Sequence, residues 1–435
     1  MTDALADPDA SPGAGDPAVG EGPEPELLLS PRDGMPPLIV DVQGLAQLAE
    51  RMAAGTGPVA VDAERASGYR YGQRAYLVQL RRAGVGSAMV DPTGCPDLSI
   101  LGEALADAEW VLHAASQDLP CLAEVGMTPA RIFDTELAGR LAGFERVGLG
   151  AMVERVLGLR LEKGHSAADW SRRPLPDPWL QYAALDVEVL IELRDALEAE
   201  LRSQGKLDWA HEEFAALVEA PPKEPRTDPW RRTSGIHRIR NRRQLAAVRA
   251  LWEVRDDIAR SRDIAPGRLL PDASILAAVT AAPADEAALV AVPGFAGRGV
   301  RRHAQTFLAA YRQAGKLPDP ELPTATLSYD GPPPAARWGD RDPEAAQRLA
   351  RVRTALATLA ASHRLPVENL LLPDLVRRVT WEPPQPIEPA AIAAVLTAGG
   401  ARRWQVELTA GVIAEALAAP PAEPVPAEDL TPPAG

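Results

Sequence analysis

A strand that ends in two carboxylates limits the possible folds of this 435-residue chain more than any other feature. In the segment PVAVDAE, the apolar run Val59, Ala60, Val61 predicts a buried strand. Asp62 and Glu64 follow two residues apart, so the strand period of two turns both carboxylates to the same face. Burying two like charges costs several kcal/mol unless a cation lies between them. The pattern therefore predicts bound cations at the end of this strand.

Two further acids and a tyrosine lie later in the chain. Asp118 follows EWVLHAA, a predicted strand, and opens SQDLPCLAEVG, a predicted helix whose first turn tolerates negative charge. In QYAALDVEVLIEL the apolar residues recur at helical spacing, which places Tyr182 and Asp186 at i and i+4 on one face. Two Mg²⁺ or Mn²⁺ ions flanked by carboxylates are a common arrangement for in-line cleavage of a phosphodiester. A phenol beside such a site can orient or deprotonate the attacking water.

The three motifs DAE, QD after HAAS, and YAALD resemble, in this order, the exonuclease motifs of the DEDD superfamily in its tyrosine-bearing branch. The segments between them are similar to ribonuclease D: HAASQDL, then FDTELAGRL (133–141), then KGHSAADWSRRPL (163–175), then YAALDV. The resemblance covers roughly residues 38 to 218. It implies a ribonuclease H-like α/β domain that is a metal-dependent 3′–5′ exonuclease.

The resemblance also implies a role for each motif residue. Asp62, Glu64 and Asp186 would hold a first Mg²⁺ or Mn²⁺ ion, which activates the water. Asp62 would bridge to a second ion that stabilises the leaving 3′ oxygen, and Asp118 would support that ion largely through water. Tyr182 would position the nucleophile.

Two residues beside the first motif depart from the family pattern. Ala63 stands where threonine is common, and Arg65 stands where phenylalanine or another apolar residue often follows the glutamate. Neither is a metal ligand, but both border the substrate channel. We therefore expect them to affect substrate preference and to leave the chemistry unchanged.

Proline-rich segments divide the chain into regions. The strand and helix order of the first region resembles the ribonuclease H-like fold, in which ligands bind at the carboxyl ends of central strands. The predicted fold is therefore an α/β ribonuclease H-like exonuclease domain followed by one or two all-α HRDC-type helical domains. The predicted parts are a disordered acidic tail (1–36), the exonuclease domain (37–218), a linker (219–229), an HRDC domain (230–316), a Pro-rich linker (317–341), a degenerate second HRDC-like domain (342–418) and a disordered tail (419–435).

The helical region after the first linker resembles an HRDC domain, the module that RecQ-type helicases share with ribonuclease D. The VPGF segment (Val292 to Phe295) and the basic GRGVRR after it match the helix–turn–helix character of that module. A second copy is suggested because RDIAPGRLLPD (262–272) and SHRLPVENLLLPD (362–374) share an ordered core that ends in LLPD. That copy lacks the Arg-rich opening and the VPGF turn.

The net charge of −14 would argue against a nucleic-acid partner, because phosphate contacts need cations. The distribution of charge removes this objection. Residues 1–36 hold eight acidic residues and a single arginine, whereas Trp230 to Trp252 carry seven arginines and no acid. The opening of the HRDC region therefore predicts contact with RNA.

The polar segment before the last motif, KGHSAADWSRRPLPDP, is a second candidate RNA surface. Its cations and tryptophan could grip the backbone and stack a terminal base, or the loop could pack its tryptophan inward, and the sequence favours neither. His113 and His165 are interpreted as structural residues, and Asp134 as a helix cap. The predicted nucleic-acid-binding residues are Lys163, Trp170, Arg172, Arg173, Arg238, Arg240, Arg242 and Arg243.

Together, the residues and the resemblance predict an enzyme that removes nucleotides one at a time from RNA 3′ ends and releases nucleoside 5′-monophosphates. The resemblance implies tRNA precursors as substrates. A DNA 3′–5′ exonuclease is the nearest alternative, because the carboxylates do not read the sugar. A non-catalytic RNA-binding adaptor is disfavoured because no metal ligand is missing. The chain has no apolar run that could span a membrane and no signal-peptide pattern, so we expect a cytoplasmic protein, and no protein partner is implied.

Overall fold

The computed structural model describes residues 24–162, 164–165, 167–222, 224–325 and 331–420. Its strands are β1 (Glu26–Leu28), β2 (Leu38–Ile39), β3 (Thr56–Arg65), β4 (Ala75–Ala83), β5 (Gly86–Val90), β6 (Glu109–Leu112), β7 (Arg131–Asp134) and β8 (Leu159–Leu161). Strands β2 to β7 form one sheet in the order β2-β5-β4-β3-β6-β7. Strand β3 pairs antiparallel with β4 and parallel with β6, so the strand that carries Asp62 and Glu64 lies in the middle of the sheet.

Helices follow in three groups. The first group is α1 (Val42–Ala54), α2 (Ser99–Ala104), α3 (Leu119–Glu124), α4 (Thr135–Ala142), α5 (Leu149–Leu157), α6 (Asp177–Glu188), α7 (Leu190–Ser203) and α8 (Leu207–Val218). The second is α9 (Arg242–Ser261), α10 (Pro266–Leu269), α11 (Asp272–Ala281), α12 (Glu286–Val290), α13 (Arg298–Arg301) and α14 (Ala304–Gly315). The third is α15 (Trp338–Arg341), α16 (Pro343–Ser362), α17 (Val367–Leu370), α18 (Pro373–Trp381), α19 (Pro389–Ala398) and α20 (Arg403–Ala418). The predicted succession of an α/β domain and helical domains is confirmed.

The continuous apolar run of β3 follows from its position between two layers of helices. Val59 and Val61 are fully buried on the face that packs with α1, whereas Ala60 is fully buried on the opposite face against Val187 and Leu190 of α6 and α7. A strand covered on both faces reads as an unbroken apolar run instead of an alternating pattern. The acids that end this run are therefore placed at the interior of the domain.

The N-terminal segment is ordered further toward the start of the chain than predicted. Strand β1 pairs parallel with β8, and the carbonyl of Leu29 accepts a hydrogen bond from Gln181 of α6. Arg32 forms an ion pair with Glu192 of α7, and Asp33 forms one with Arg81 of β4. The prediction that residues 1–36 are disordered is therefore wrong for residues 24–36. Residues 1–23, and residues 421–435 of the predicted C-terminal tail, lie outside the described residues.

The second helical group docks on the loop that follows β3, residues 66–74. The backbone NH of Ala265 donates to the carbonyl of Tyr69 at 3.0 Å, and the Tyr71 hydroxyl donates to Asp256 Oδ2 at 2.9 Å. The guanidinium of Arg268 lies 3.8 Å from the centre of the Tyr69 ring. This loop, named here the docking loop, therefore joins β3, the strand that carries Asp62 and Glu64, to the second helical group.

The third helical group packs on the other end of the exonuclease domain. The indole of Trp404 in α20 stacks on that of Trp209 in α8, with the ring centroids 5.0 Å apart. Trp404 Nε1 also donates a hydrogen bond to Glu213 Oε1 at 3.1 Å. Trp338 is fully buried and packs against Trp381 in the core of the third group. The predicted linker 317–341 is thus corrected at its end, because α15 belongs to the folded domain.

The two helical groups share a local geometry that supports the predicted internal repeat. Both groups contain a 20-residue helix followed by a four-residue helix, α9 and α10 in the second group and α16 and α17 in the third. Between the two helices, Asp263 and Arg364 have positive φ angles of 47° and 51°. Each is followed by a residue whose NH bonds a carbonyl five residues earlier. No helix in the described ranges has the length and apolar character that crossing a membrane requires.

Candidate active site

The carboxylates of Asp62, Glu64 and Asp186 meet where β3 contacts helix α6. Their oxygen atoms lie within 4.8 Å of one another. Asp62 and Glu64 share a face of β3 as predicted from their spacing, and α6 packs across that face. The structure therefore brings Asp186 next to Asp62 and Glu64, from which it is separated by more than a hundred positions in the sequence.

Small side chains allow α6 to approach the sheet closely. Ala183 and Ala184 are fully buried against the sheet residues Leu77 and Met89. The helix starts after Pro176, which cannot continue a preceding helix and is tolerated at this boundary. Tyr182 and Asp186 lie one turn apart on α6, and the charge of Asp186 acts on the Tyr182 hydroxyl. The predicted helical spacing is thus observed.

Asp118 is placed by a turn that Asp134 holds in position. Asp134 accepts hydrogen bonds from the NH groups of Ala114 and Ala115, at 3.1 and 2.9 Å, in the turn between β6 and α3. It also accepts from the first NH groups of α4, which confirms that it is a helix cap. Asp118 makes no side-chain cap contact with α3 and is only 5% exposed. Its carboxylate lies outside the three-acid cluster but close enough to Asp62 for electrostatic coupling.

Burial makes the site unfavourable for negative charge. It raises the pKa of Asp62 to about 6, although a backbone hydrogen bond and Arg65 oppose the shift. Burial and then the charge of Asp62 raise the pKa of Asp118 to about 8. Burial and the neighbouring carboxylates also raise the pKa of Glu64 and of Asp186 well above the ordinary values. Such a cluster of oxygen donors fits hard divalent cations, which would relieve the repulsion.

Tyr182 keeps its proton at neutral pH. Burial, followed by the charges of Asp186, Glu64 and Asp62, raises the pKa of its hydroxyl above the ordinary value of 10.0. A neutral phenol can donate a hydrogen bond and orient water, whereas removing a proton would require the phenolate. The exposed ring of His165 lies edge-on to the Tyr182 ring, with centroids 6.0 Å apart.

Gln79 on β4 is a polar neighbour that the sequence reading missed. Its position in the strand pairing is directly opposite Asp62, so both side chains occupy the same face of the sheet. The side chain is fully buried, and neither amide atom has a hydrogen-bond partner in the described part of the chain. A glutamine inside the apolar run AYLVQL was the available signal.

A cleft of about 830 Å³ opens onto Tyr182 and Asp186. It runs between α5 and strand β8, and its walls carry three arginines and three glutamates: Arg146, Arg155, Arg160, Glu145, Glu154 and Glu162. Arg146 is exposed, and within the described ranges no side-chain contact is recorded for it. The sequence reading missed this surface because its arginines are scattered among acids, and only the fold brings them to one groove.

The segment before the last motif packs inward. Trp170 is fully buried against Trp179, so it is not available to stack on a base. Arg173 makes two 2.6 Å hydrogen bonds to the carboxylate of Asp91, and its other donors reach backbone carbonyls. These positions correct the expectation that Trp170 and Arg173 contact nucleic acid. Arg172 is exposed, and Lys163 lies outside the described residues.

The arginines that open the second helical group divide into two pairs. Arg238 and Arg240 are exposed, and no side-chain contact is recorded for either within the described ranges. Arg242 donates to the carbonyls of Asp319, Leu322 and Pro323. Arg243 donates to the carbonyls of Gly315 and Leu317 and forms an ion pair with Asp319. The second pair therefore holds the segment after α14 and has few donors left for phosphate.

The metal-free protein is expected to become more stable when Asp118 is replaced by asparagine. The pKa of Asp118 is about 8 in the folded protein against an ordinary value of 3.8. The contribution of the Asp118 carboxyl group to stability is therefore fully present below pH 3.8, and it is lost as the pH rises through about 8 and the buried group becomes charged. In EDTA at pH 8, Asp118→Asn should raise the free energy of unfolding by roughly 1–3 kcal/mol, and at pH 5 the gain should be smaller.

Thermal melts with Mn²⁺ provide the matching control. Saturating Mn²⁺ at 100 times its dissociation constant should stabilise the wild type by about 2.7 kcal/mol, and the variant by less. Equal stability of both proteins at pH 8 in EDTA, together with equal responses to Mn²⁺, would contradict this account of Asp118.

Three family models match the chain. Residues 38–202 match a model described as a 3′-5′ exonuclease, and residues 244–311 match the HRDC domain. Residues 331–417 match a model described as a 3′ to 5′ exonuclease C-terminal domain. The first match contains all five motif residues described above.

Sequence relatives carry the same description. The chain is 35% identical over 315 residues to ribonuclease D of Acidiphilium cryptum, and the matched region covers 71% of this chain and 79% of the relative. It is 36% identical over 283 residues to ribonuclease D of Granulibacter bethesdensis, covering 62% and 70%. It is 31% identical over 301 residues to ribonuclease D of Escherichia coli, covering 67% and 78%.

Solved structures share the fold. A protein from Bifidobacterium adolescentis matches with a TM-score of 0.84 and 39% identity over 91% of this chain and 100% of its own. RNase D of Escherichia coli matches with a TM-score of 0.63 and 26% identity over 83% and 99%. Because the sequence likeness covers most of a known ribonuclease D and the fold likeness extends through the helical domains, the chain belongs to the ribonuclease D family and is a 3′–5′ exonuclease.

Proposed function

We propose that this protein is a two-metal exoribonuclease that removes nucleoside 5′-monophosphates one at a time from RNA 3′ ends. One observation carries the proposal: oxygens of Asp62, Glu64 and Asp186 converge within 4.8 Å of one another, and Tyr182 lies one helical turn before Asp186 on α6. The cleft with arginines along its walls opens onto these groups. This combination supports hydrolysis of a terminal phosphodiester that enters through the cleft.

The acids divide between two ions in the proposed site. Asp62, Glu64 and Asp186 would hold one Mg²⁺ or Mn²⁺ ion, and Asp62 with Asp118 would hold a second. When bound, the ions would supply positive charge to the phosphate and to the leaving 3′ oxygen and would make water a stronger nucleophile. The separation of Asp118 from the three-acid cluster supports a looser role for it, with water between the carboxylate and the ion.

Tyr182 orients the attacking water in this proposal. Its hydroxyl remains protonated at neutral pH and lies on the same face of α6 as Asp186, so it can donate a hydrogen bond to the water and direct the other lone pair of the water toward phosphorus. Tyr182→Phe should lower kcat by about 10²–10³-fold and leave the stabilisation by Mn²⁺ unchanged. A variant with normal kcat would remove Tyr182 from the proposed machinery.

RNA with a free 3′ end is the proposed substrate, and tRNA precursors are the proposed natural class. Ribonuclease D relatives and the Escherichia coli enzyme, described as an exoribonuclease involved in structured RNA processing, support this choice. The exposed residues Arg172, Arg238 and Arg240 are proposed to contact the RNA body. The frayed 3′ end would enter the cleft while the helical domains hold the structured part.

The test uses two matched duplexes with 3′ overhangs, one RNA and one DNA, incubated with Mg²⁺ or Mn²⁺. We expect the RNA to shorten in single-nucleotide steps and the released products to be nucleoside 5′-monophosphates. Faster shortening of the DNA would overturn the substrate and keep the chemistry. RNA that binds without any shortening in either metal would instead favour the non-catalytic adaptor.

A further inference from the structure

We propose that Arg65 binds the phosphate of the terminal, scissile linkage of the RNA, from the Asp118 side of the site. This inference rests on the proposed function, because it assigns a substrate contact within the same site. Arg65 directly follows Glu64 and is the last residue of β3, so the strand ends with a cation beside a site built from carboxylates.

A break in the strand pairing sets the direction of the Arg65 side chain. Glu64 pairs with Leu77 and Arg65 pairs with Ala75, so Tyr76 is an extra residue on the partner strand. Such bulges re-aim the side chains beside them and are common next to active sites. Here the guanidinium of Arg65 reaches the start of α3, with its Nη2 atom 3.8 Å from Asp118 Oδ1. The cation thus lies within reach of the acidic site.

The guanidinium keeps most of its donors free. It carries five N–H donors in a planar fork, and the described structure records one hydrogen bond for it, from Nη2 to Gln117 Oε1 at 3.3 Å. The contact with Asp118 is at the outer limit of an ion pair and is not bidentate. A planar fork with unused donors matches two non-bridging oxygens of a phosphate.

The electrostatic environment selects an anion for Arg65. Its charge acts on Asp62, Glu64 and Asp118, and its nearest carboxylate is that of Asp118, so it borders the acidic group on the Asp118 side. Its side chain is 25% exposed, which leaves it accessible from solvent while limiting screening. A phosphodiester approaching four carboxylates needs such a cation along its path.

The docking loop holds the backbone of Arg65 in place. Ala66, the next residue, is buried, and Tyr69 and Tyr71 are fastened to the second helical group. Arg70, a neighbouring cation, is already bonded to Ser171 Oγ at 2.7 Å and lies 3.7 Å from Asp263 Oδ2. Arg65 is therefore pre-positioned for the substrate, whereas Arg70 serves the domain contact.

The experiment measures the affinity of the protein for two RNAs that differ in one substituent of one phosphate, a charged oxygen in the first and a methyl group in the second. One is an unmodified RNA with a 3′ overhang, and the other carries an uncharged methylphosphonate at its terminal linkage. Dissociation constants are measured by fluorescence anisotropy, with Ca²⁺ in place of Mg²⁺. The proteins are the wild type, Arg65→Gln, Arg65→Lys and Arg74→Gln. The Arg74→Gln variant is the control, because it removes an exposed charge from the docking loop that follows Arg65.

Arg65→Gln should bind the unmodified RNA about 10-fold more weakly than the wild type, as expected for the loss of a charged hydrogen bond. With the methylphosphonate RNA, wild type and Arg65→Gln should bind alike, because the charge that Arg65 contacts is absent. Arg65→Lys should recover part of the affinity, and Arg74→Gln should lower it equally for both RNAs or not at all.

Two results would overturn the inference. Equal binding of unmodified RNA by wild type and Arg65→Gln would show that Arg65 makes no substrate contact. An equal loss on both RNAs would assign Arg65 to another phosphate or to a structural role, which a lowered melting temperature would identify. In both cases normal shortening of RNA by the wild type keeps the proposed function, whereas a wild type that neither binds nor shortens RNA would overturn both proposals.

Discussion

Asp62→Asn should lower kcat for RNA shortening by about 10³–10⁵-fold while the protein stays folded. Asp62 is the acid at the centre of the site, since it shares the three-acid cluster with Glu64 and Asp186 and is also coupled to Asp118. Its replacement by a neutral amide of the same shape removes a charge that each proposed ion needs. The loss should appear in single-turnover assays at saturating RNA, so that weaker substrate binding does not contribute.

A matched control distinguishes the loss of a charge inside the acidic site from the loss of a charge on the surface of the same domain. Asp177→Asn changes an exposed acid at the start of the same helix α6 that carries Tyr182 and Asp186. It should retain the activity of the wild type. Asp62→Asn should also lose the rise in melting temperature with Mn²⁺. An Asp62→Asn protein that keeps more than about 1% of wild-type kcat would contradict the assigned role.

Arg173→Met should lower the free energy of unfolding by about 3–5 kcal/mol. Arg173 holds Asp91 through two hydrogen bonds of 2.6 Å, and only 6% of the Asp91 side chain is exposed. Burial alone would raise the pKa of Asp91, but hydrogen bonds from Arg173 and Thr93 outweigh it and hold the pKa below its usual value. Removing the guanidinium would leave a buried carboxylate without its main partner.

Urea denaturation at several pH values measures this effect, with Arg172→Met as the control. Arg172 is adjacent and exposed, so its loss should change stability by less than about 0.5 kcal/mol. Because the folded pKa of Asp91 is depressed, its contribution is present above pH 3.8 and is lost as the pH falls through the lower folded value. The difference between wild type and Arg173→Met should therefore shrink below about pH 4. A constant difference, or equal losses in both variants, would contradict the role of this pair.

The periodicity of the chain was sufficient to place the acids. Alternation in a strand turned Asp62 and Glu64 to one face, and the helical repeat put Tyr182 above Asp186, because these relations depend only on backbone geometry between near neighbours. The cap formed by Asp134 was predictable for the same reason. The order of strands and helices followed from the same patterns, and a central strand covered on both faces explained the apolar run before Asp62.

Charge and aromatic content were weaker guides, because they do not reveal what a side chain meets in the fold. Trp170 and Arg173 were candidate RNA contacts, but they lie inside the domain against Trp179 and Asp91, residues that are not their neighbours in sequence. Arg242 and Arg243 had looked like part of one basic surface. Carbonyls after α14 accept hydrogen bonds from both, whereas Arg238 and Arg240 are exposed and have no side-chain contact recorded in the described ranges.

The sequence by itself determined the family, the succession of domains and the residues that form the acidic site, since each depends on local pattern and ordered motifs. The tertiary structure alone decided which cations face the substrate. It paired Arg173 with Asp91, placed Arg65 beside Asp118 next to a break in strand pairing, and brought α5 and β8 alongside Tyr182 to form the cleft. The physical reason is that a cation is available to the substrate only if no other group of the protein binds it, and the groups that could bind it are brought together only when the chain folds.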